Sequence, residues 1–431
     1  MASARTTNVS DRADLSFDRS EAATSRRVTA VDRWLATKVQ RTIADGPVRL
    51  ELWDGRRADG APDRAAGDLL VGDRRALIGL AVNANLYFGE AYMAGRIRIR
   101  GPLDEVIHAL SRSSAANPSR WERASALLAR VNDVAAARRN VHHHYDLGND
   151  FYALWLDADM VYTCAYYANE AMNLDEAQTA KLELVCRKLQ LRAGETVVEA
   201  GCGWGALALH MARHYGVRVQ AFNLSGEQLH WARARARREG LDRRVEFIED
   251  DYRNVAGTCD VFVSVGMLEH VGRRCYAALA EVLRRTVKRN GGRGLLHFIG
   301  RDVPRPLNAW IRRRIFPGAY VPALTEVTRD ILAPAGMSVV DVENLRLHYA
   351  RTLAHWSERF SAARERMRAA AGEEFCRTWE LYLAGSEAAF RTGWMQLFQV
   401  VFAPRESPPP FLTRTALYVP GNAPDTTSLP S

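Results

Sequence analysis

The chain has 431 residues, of which 47% are hydrophobic and 25% are charged, and its formal net charge is +9. The length exceeds that of one ordinary domain and the composition is that of a soluble globular protein, so we expect two folded units. The positive charge favours anionic partners, either nucleic acid or acidic lipid headgroups, without choosing between them. No stretch approaches the roughly 18 apolar residues that a membrane-spanning helix requires.

Three features of the sequence give expectations about metal binding and the cellular compartment: the cysteines, the histidines and the polar N-terminal residues. The 6 cysteines are scattered and form no Cys-x-x-Cys pair, which argues against a zinc site and a redox dithiol. The adjacent histidines His142–His144 would not converge on one ion, so we interpret them as structural and expect no metal. Because the first residues are polar, we expect a cytoplasmic protein that reaches membranes from their surface.

The N-terminal part predicts a small folded unit with no sign of catalysis. Residues 1–28 are expected to be disordered, because they could not bury enough apolar area to offset the entropy of ordering. The unit itself is expected over residues 29–125. Its predicted elements are a helix at Arg33–Ala44, a strand-like alternation at Val48–Trp53, a turn-rich Asp54–Asp68, apolar runs at Leu69–Val71 and Leu77–Val82, and a helix at Leu103–Ser111.

A basic connection at 126–150 leads to a second domain, expected over 151–418 and followed by a disordered tail at 419–431. Strands and helices alternate there, which is typical of a parallel sheet with helices on both faces. Candidate strands are Thr196–Ala200, Val217–Phe222, Val245–Glu249, Val261–Val265 and Gly294–Phe298, with helices at Ala206–Tyr215 and Gly226–Glu239.

A glycine-rich turn follows the first of these strands, where Gly201, Gly203 and Gly205 alternate with other residues before a helix begins. Glycine lets the backbone approach a ligand closely, and the helix N-terminus offers free N–H groups. Any glycine-rich strand–helix turn has this appearance. The Gly-x-Gly-x-Gly spacing differs from that of dinucleotide-binding folds, so it favours S-adenosylmethionine over NAD.

Two later segments suit the same ligand. Asn223 and Gln228 follow the second strand and could bond ribose hydroxyls. After the third strand, Asp251 could accept from an adenine amino group while Tyr252 stacks on the ring. Together with the glycine turn, these elements strengthen the prediction of a nucleotide-type ligand.

Seven motifs follow one another along the chain. They are His144-Tyr-Asp-Leu-Gly-Asn-Asp150, Tyr162-Thr-Cys-Ala-Tyr-Tyr167, Asn173-Leu-Asp-Glu-Ala-Gln178, Gly201-Cys-Gly-Trp-Gly205, Val265-Gly-Met-Leu-Glu-His-Val-Gly272, Leu296-His-Phe-Ile-Gly300 and Tyr349-Ala-Arg-Thr-Leu353. In order and spacing, residues 140–404 resemble the cyclopropane-fatty-acyl-phospholipid synthases and their mycolic-acid-modifying relatives. The N-terminal unit is similar to the accessory, lipid-binding-like domain of longer members.

The resemblance implies an α/β fold, that of a class I S-adenosylmethionine-dependent methyltransferase with a Rossmann-like, mixed seven-stranded sheet and a smaller N-terminal domain. It implies methylene transfer to the cis double bond of unsaturated phospholipid acyl chains at the inner membrane face, by a homodimer without nucleic acid. A bound bicarbonate would be the base, at positions Cys164, Glu269, His297, Ile299 and Tyr349. The cofactor positions would be Tyr162, Thr163, Glu199, Gly201, Gly203, Asn223, Gln228, Asp251 and Tyr252.

The chemistry gives these residue types a role. Methyl transfer to an alkene leaves a carbocation, and ring closure then requires a base shielded from water. A small anion held by a thiol, an imidazole, a backbone N–H and a phenol fits, with Glu269 orienting it or accepting its proton. Taken alone, Cys164 and His297 would be interpreted as ordinary buried residues. Tyr166, Phe298 and Tyr349 are candidates for stabilising the cation.

Two positions depart from the family pattern. Ser386 stands where members often carry a cysteine, which favours direct transfer over a covalent mechanism. Phe298 replaces a threonine in the strand-end motif and could alter the fate of the cation, which leaves methyl-branch formation open.

For membrane contact we expect the basic run Arg312–Arg314 and the apolar loop Ile315–Tyr320 to act together, and we interpret Arg233–Arg238 as solvated helix surface. The sequence leaves alternative functions open. They are a fatty-acid C-methyltransferase that makes methyl or methylene branches, a methyltransferase for a soluble acceptor, and a non-catalytic lipid-binding protein. A nucleic-acid methyltransferase would suit the charge, but the amide motif expected after the fourth strand is absent.

Overall fold

A computed structural model describes residues 27–113 and 148–418. The chain divides into two compact units, Met1–Asn117 and Pro118–Ser431. Of the segments predicted to be disordered, 1–28 and 419–431, residues 1–26 and 419–431 lie outside the described residues, as do most of the predicted connection at 126–150 and the histidines at 142–144. Val28, at the end of the first segment, is buried in the N-terminal core, so the prediction of disorder is wrong there.

In its described part, residues 27–113, the N-terminal unit combines a three-stranded sheet with three helices. Strand β1 (Val48–Glu51) runs parallel to β2 (Gly67–Val71), and β2 pairs antiparallel with β3 (Ile97–Arg100). The helices are α1 (Ala30–Thr42), α2 (Arg74–Met93) and α3 (Leu103–Ser111).

Local hydrogen bonds explain where these elements differ from prediction. Helix α1 begins three residues before the predicted start, because Thr29 and Asp32 form a capping box. Asp32 also accepts from Nε of Arg74 at 2.7 Å, which ties α1 to α2. The predicted strand Val48–Trp53 ends at Glu51, and the apolar run Leu77–Val82 lies inside α2.

The second unit is built on a seven-stranded sheet. Its strands are β4 (Thr196–Ala200), β5 (Arg218–Asn223), β6 (Val245–Glu249), β7 (Val261–Val265), β8 (Arg293–Gly300), β9 (Met337–Asn344) and β10 (Gln396–Pro404). Their order is β6-β5-β4-β7-β8-β10-β9. Strands β4 to β8 pair parallel, and β10 pairs antiparallel with both β8 and β9. The mixed sheet is therefore confirmed.

The helices of this unit connect and cover the sheet. They are α4 (Asn149–Ala153), α5 (Leu174–Leu189), α6 (Ala206–Tyr215), α7 (Gly226–Arg238), α8 (Leu268–Val271), α9 (Tyr276–Thr286), α10 (Ala309–Arg314), α11 (Leu324–Val327), α12 (Arg346–Ala362), α13 (Arg364–Ala371), α14 (Glu373–Thr392) and α15 (Thr415–Tyr418), with 3₁₀ turns at Tyr252–Asn254 and Arg273–Cys275 and a π-helical turn at Thr328–Leu332.

Apolar cores cover both faces of the sheet, as alternation along the strands requires. On β8, Leu295 belongs to the core that includes residues of α5, α6 and α7. Its neighbours Leu296 and Phe298 belong to the opposite core, together with residues of α9. In the described ranges, none of the helices combines the length and apolarity needed to cross a bilayer.

Close packing across the sheet predicts a stability difference between two glycine positions. A Cβ at Gly294 would lie 2.6 Å from the carbonyl oxygen of Phe262 and closer still to the ring of Phe402. Gly294→Ala should therefore lower the free energy of unfolding by about 1–3 kcal/mol. Gly385, inside α14, has open space around the same position.

Gly385→Ala is the matched control and should stabilise the protein by about 0.4–1 kcal/mol. Thermal unfolding followed by calorimetry checks both changes. Equal melting temperatures for the two variants would contradict the packing argument.

Candidate active site

The glycine-rich turn after β4 forms the floor of a cleft. Gly201 and Gly205 have φ values of +82° and +83°, in a backbone region that other residues rarely adopt. A Cβ at Gly205 would lie 2.7 Å from the ring of Phe247. The turn therefore needs glycine, and it leads directly into the N-terminus of α6.

The cleft gathers all the positions predicted for the cofactor. It encloses about 1120 Å³ of empty space, counted with its open mouth. Its lining includes every one of the predicted positions, namely Tyr162, Thr163, Glu199, Gly201, Gly203, Asn223, Gln228, Asp251 and Tyr252. The structure thus brings them together, and the role of each one in binding stays a prediction.

Hydrogen bonds within the lining hold the groups predicted to contact ribose and adenine. Nδ2 of Asn223 donates to Oε1 of Gln228 at 2.8 Å and to the carbonyl of Gly203 at 3.2 Å. The carboxylate of Asp251 accepts from Nε and Nη2 of Arg253 at 2.6 and 2.8 Å. Asp251 is therefore fixed in place and keeps only its remaining lone pairs for an adenine amino group.

A buried lysine that the sequence analysis did not identify also faces the cleft. Lys181 in α5 is 2% exposed, and its Nζ donates to Oγ1 of Thr163 at 3.0 Å. Burial lowers the pKa of Lys181 to about 8. Burial likewise raises the pKa of Glu199 to about 8, although the nearby charge of Lys181 acts to lower it. The sequence signal was a lysine on the apolar face of α5, four residues after Ala177.

The segment that carries Tyr162 and Thr163 is held from two sides by motif residues. Nε2 of Gln178, in α5, donates to the carbonyl of Thr163 at 2.8 Å. The hydroxyl of Thr352, in α12, accepts from the N–H of Ala165 at 3.0 Å. Three separate motifs of the sequence therefore act together to position one wall of the cleft.

Glu269 and Ile299 meet at the carboxyl end of β8. Oε1 of Glu269 accepts from the N–H of Ile299 at 2.5 Å, while Oε2 is buried with no hydrogen-bond partner among the described residues. Burial raises the pKa of Glu269 to about 7, although the hydrogen bond from the N–H of Ile299 stabilises the carboxylate and acts to lower it. A carboxyl group with this pKa can either give or take a proton near neutral pH.

His297 lies on the same face of β8 and has a partner that the sequence analysis missed. Gln399 stands opposite it on β10, and Nε2 of the amide lies 3.1 Å from Nδ1 of the ring. Burial, followed by the charges of Lys181 and Lys188, lowers the pKa of His297 well below its usual value. With the amide donating to Nδ1, the neutral ring carries its hydrogen on Nε2, which has no partner in the described part of the chain.

The other two predicted bicarbonate positions lie in helix-packed surroundings. Cys164 is fully buried, and its Sγ–H donates to the carbonyl of Ala165 at 3.1 Å. Burial raises the pKa of this thiol, and the nearby charge of Lys181 opposes the rise. The ring of Tyr349 packs 4.6 Å from Phe390 and 5.9 Å from Trp356.

One of the three aromatic residues proposed to face a cation lies elsewhere. The pleat of β8 turns Phe298 to the face opposite His297, where it packs 5.8 Å from Phe398 in the apolar core. The prediction for Phe298 is therefore wrong. Tyr166 stacks on His348 at 4.9 Å, and its role, like that of Tyr349, stays a prediction.

A different set of rings borders the cleft, and we call it the aromatic cluster. Tyr162 and Trp204 belong both to the cleft and to this cluster, and the hydroxyls of Tyr162 and Tyr382 lie 2.8 Å apart. Ser386 follows Tyr382 by one turn of α14. The members, with neighbouring centroids 5.1–5.9 Å apart, are Tyr152, Trp155, Tyr162, Trp204, Trp356, Trp379 and Tyr382.

The loop Ile315–Tyr320 turns its apolar side chains inward, which corrects the prediction of a membrane-facing apolar loop. Ile315 is 2% exposed, and Phe316 packs 5.7 Å from both His270 and Tyr382. The N–H of Tyr320 donates to the carbonyl of Glu269 at 2.9 Å. The loop therefore covers the site and supports Glu269.

The arginines of α7 are only partly solvated, contrary to the interpretation of Arg233–Arg238 as surface. Nη2 of Arg233 donates to the carbonyl of Phe247 at 2.7 Å, and Arg235 pairs with Asp159 at 2.6 Å. The last two arginines of the helix are exposed, as predicted.

The strand order, the antiparallel β10 and the glycine-floored cleft define a class I S-adenosylmethionine-dependent methyltransferase. A family model described as mycolic acid cyclopropane synthetase matches residues 132–400. The chain belongs to this family. A second model, for a domain of unknown function, matches residues 35–118.

Named relatives agree with this assignment. The chain is 39% identical to a probable fatty acid methyltransferase of Pseudomonas putida, over 82% of this chain and 91% of the relative. It is 40% identical to the cyclopropane-fatty-acyl-phospholipid synthase of Escherichia coli K12, over 60% of this chain and 66% of the relative. The crystal structure of mycolic acid cyclopropane synthase CmaA1 with SAH and CTAB is 31% identical, with a TM-score of 0.57, and the match covers 62% of this chain and 97% of that one.

The raised pKa of Glu269 predicts how stability depends on pH. Between its ordinary value of 4.5 and about 7, the folded protein holds a proton that the unfolded chain has lost. The free energy of unfolding therefore falls as pH rises through this window. Glu269→Gln removes this titration. Between pH 5 and pH 8 the free energy of unfolding of the variant should therefore rise by roughly 2–3 kcal/mol relative to that of the wild type.

Urea unfolding at a series of pH values measures this difference. Glu406→Gln, at an exposed position, serves as the control and should follow the wild-type profile. Parallel profiles for wild type and Glu269→Gln would show that the buried carboxyl does not titrate as argued.

Proposed function

We propose that this methyltransferase adds a methylene group from S-adenosylmethionine to the cis double bond of an unsaturated phospholipid acyl chain, forming a cyclopropane ring with bicarbonate as base. The observation that carries the proposal is that Oε2 of Glu269 and Nε2 of His297 are both buried without partners among the described residues. Both residues belong to segments next to the cofactor cleft: Glu269 lies between the lining residues Met267 and His270, and the carbonyl of His297 accepts from the N–H of the lining residue Gly266. The name of the E. coli relative supports the phospholipid substrate.

The reaction site suits a small anion that both donates and accepts. The Nε2–H of His297 offers a donor, and Oε2 of Glu269 offers an acceptor, and both are buried. Polar atoms in such places are normally satisfied by water or a ligand. After burial, the charges of the buried Lys181 and Lys188 contribute to the lowered pKa of His297, and a positive potential at this place favours an anion. The residues present therefore fit bicarbonate.

The proposed reaction has two steps, methyl transfer from the cofactor cleft and proton removal at the bicarbonate position. The cleft residues hold the sulfonium donor so that its methyl group points at the alkene, a positioning effect worth several kcal/mol. The C–S bond breaks as the new C–C bond forms, which leaves a carbocation on the acyl chain. When bound, bicarbonate would supply the base for the proton lost from the added methyl as its C–H electrons close the ring.

The protein's own groups complete this sequence. Oε2 of Glu269, with a pKa of about 7, can take over a proton released at the site. Rings of the aromatic cluster present electron-rich faces that stabilise a nearby cation. The inward loop Ile315–Tyr320 and the full burial of His297 keep out water that would trap the cation.

A methyl-branched product is the second candidate. The P. putida relative, named a probable fatty acid methyltransferase, covers more of this chain than the E. coli synthase does. The Mycobacterium tuberculosis relative named tuberculostearic acid methyltransferase is 34% identical over 86% of this chain. The cation then rearranges by a hydride shift and loses a proton from the added methyl group, which leaves a methylene branch. A saturated methyl branch would require a reductase partner.

Incubation with labelled methyl donor and unsaturated phospholipid vesicles tests the function. We expect label in the acyl chains, a product one carbon heavier, and resistance of that product to hydrogenation. A product that takes up hydrogen would identify the methylene-branched alternative. Absence of label from every lipid would refute both.

The same assay tests the base. Removing carbonate from the buffer should lower the rate at least about tenfold, with recovery on adding bicarbonate, because general-base catalysis contributes about 10²–10⁴-fold. Glu269→Gln should abolish the response while leaving the affinity for the methyl donor unchanged. A rate independent of bicarbonate would remove this ligand from the proposal.

Surface binding of the enzyme is attributed to the basic end of α10. Arg313 is exposed and Arg312 is half-buried, and each basic residue near an anionic surface is worth about 1 kcal/mol. Replacing both by Gln should therefore weaken partitioning onto acidic vesicles by roughly tenfold or more. The matched control replaces Arg237 and Arg238, at the exposed end of α7. Equal losses from the two double variants in a sedimentation assay would argue for non-specific charge.

A further inference from the structure

Another cavity opens just beyond the carboxyl end of β8. It holds about 500 Å³ of empty space, counted with its open mouth. None of its lining residues belongs to the cofactor cleft. The lining consists of Arg301, Asp302, Val303, Arg305, Thr392, Gly393 and Trp394.

Arg301 is a buried guanidinium with an unused donor. The residue is 7% exposed, its backbone N–H donates to the carbonyl of Pro322 at 2.9 Å, and its Nη1 donates to the carbonyl of Pro306 at 3.0 Å. Its Nε–H has no hydrogen-bond partner within the described ranges. Burial, followed by the charge of Arg305, lowers its pKa to about 10, and no described carboxylate contributes to offset this.

A second guanidinium stands on the wall of the same cavity. Arg305 lies over the ring of Trp394, with its central carbon 4.9 Å from the ring centroid. The single carboxylate of the lining, Asp302, accepts from Nε2 of Gln396 at 3.2 Å. The lining thus carries two positive groups and one negative group.

The carbonyls at the end of α14 do not supply the missing negative charge. Nη1 of Arg346 already donates to the carbonyls of Phe390 and Arg391, at 2.9 and 3.1 Å. The Thr392 hydroxyl donates back to the carbonyl of Ala388 at 2.7 Å. The negative end of the helix is therefore covered, and the cavity keeps its excess of positive charge.

A buried charge without a counter-ion is costly, whereas a guanidinium that meets a tetrahedral oxyanion gains strong, charge-assisted hydrogen bonds. We propose that this cavity binds a phosphate group, with Arg301 and Arg305 as its donors. The group comes from the headgroup of the phospholipid substrate or from free phosphate.

The lipid source rests on the function proposed above. Arg301 follows Ile299 by two residues, about 7 Å along the same chain direction, so one phospholipid molecule could reach both the cavity and the reaction site.

Binding is tested first without turnover. Inorganic phosphate, titrated against chloride at equal ionic strength, should raise the melting temperature of the full-length protein. Arg301→Gln should weaken the phosphate affinity by about tenfold, the equivalent of one charge-assisted hydrogen bond. Arg305→Gln should weaken it as well, and because this residue is less buried it keeps the test open if Arg301→Gln fails to fold. The control Arg366→Gln changes an exposed arginine and should bind as wild type does.

Turnover then identifies the source of the phosphate. With phosphatidylglycerol vesicles, Arg301→Gln should raise KM about tenfold, while diacylglycerol with the same acyl chains should show no change. Phosphate binding without this selective effect would assign the cavity to free phosphate. No phosphate binding by the wild type, or equal affinities for wild type and both variants, overturns the proposal. Failure of every acyl substrate to react would count against the proposed function. The phosphate-binding experiment would still show whether the cavity binds phosphate.

Discussion

The site depends on the hydrogen bond from the N–H of Ile299 to Glu269. Strand β8 continues past the last residue of β7, which pairs Val265 with His297. Beyond that point the N–H groups on this edge have no strand partner, and a buried, unpaired N–H would be costly. The carboxylate of Glu269 takes the place of the missing strand. Oε1 of Glu269 is therefore occupied by the backbone hydrogen bond, while Oε2 is buried without a partner among the described residues.

The cleft and the smaller set of buried polar groups gather at the same edge of the sheet. In open α/β sheets, ligands gather where strand ends leave backbone and side-chain groups unpaired. The cofactor cleft lies at the ends of β4 and β5, the reaction site at the end of β8, and the phosphate cavity just beyond it. Contacts between distant motifs hold this region together. Nε1 of Trp204, in the glycine turn, donates to Oδ1 of Asn149 at 2.7 Å, joining the fourth motif to the first.

Sequence reasoning was accurate where a pattern is local. The glycine turn and strands β4 to β8 were placed correctly to within a few residues, because apolar runs and glycine spacing are properties of short segments. It failed where a side chain's direction depends on the strand pairing around it. Phe298 was placed beside the cation, yet the pleat turns it to the opposite core. Strand β10, buried along its whole length, was not predicted, because its apolar residues, interrupted only by Gln396 and Gln399, do not alternate with a period that separates strand from helix.

The sequence by itself determined the class of protein, because seven motifs in fixed order are read directly along the chain, and it predicted nine of the residues that line the cleft. The tertiary structure alone decided the partners of those residues. Gln399 stands opposite His297 only through antiparallel pairing across 102 positions of sequence, and Lys181 reaches Thr163 only because α5 packs beside the cleft. Burial then set the pKa values of Glu269 and Lys181, since the loss of water around a charge depends on what surrounds it in space and not on its neighbours in the chain.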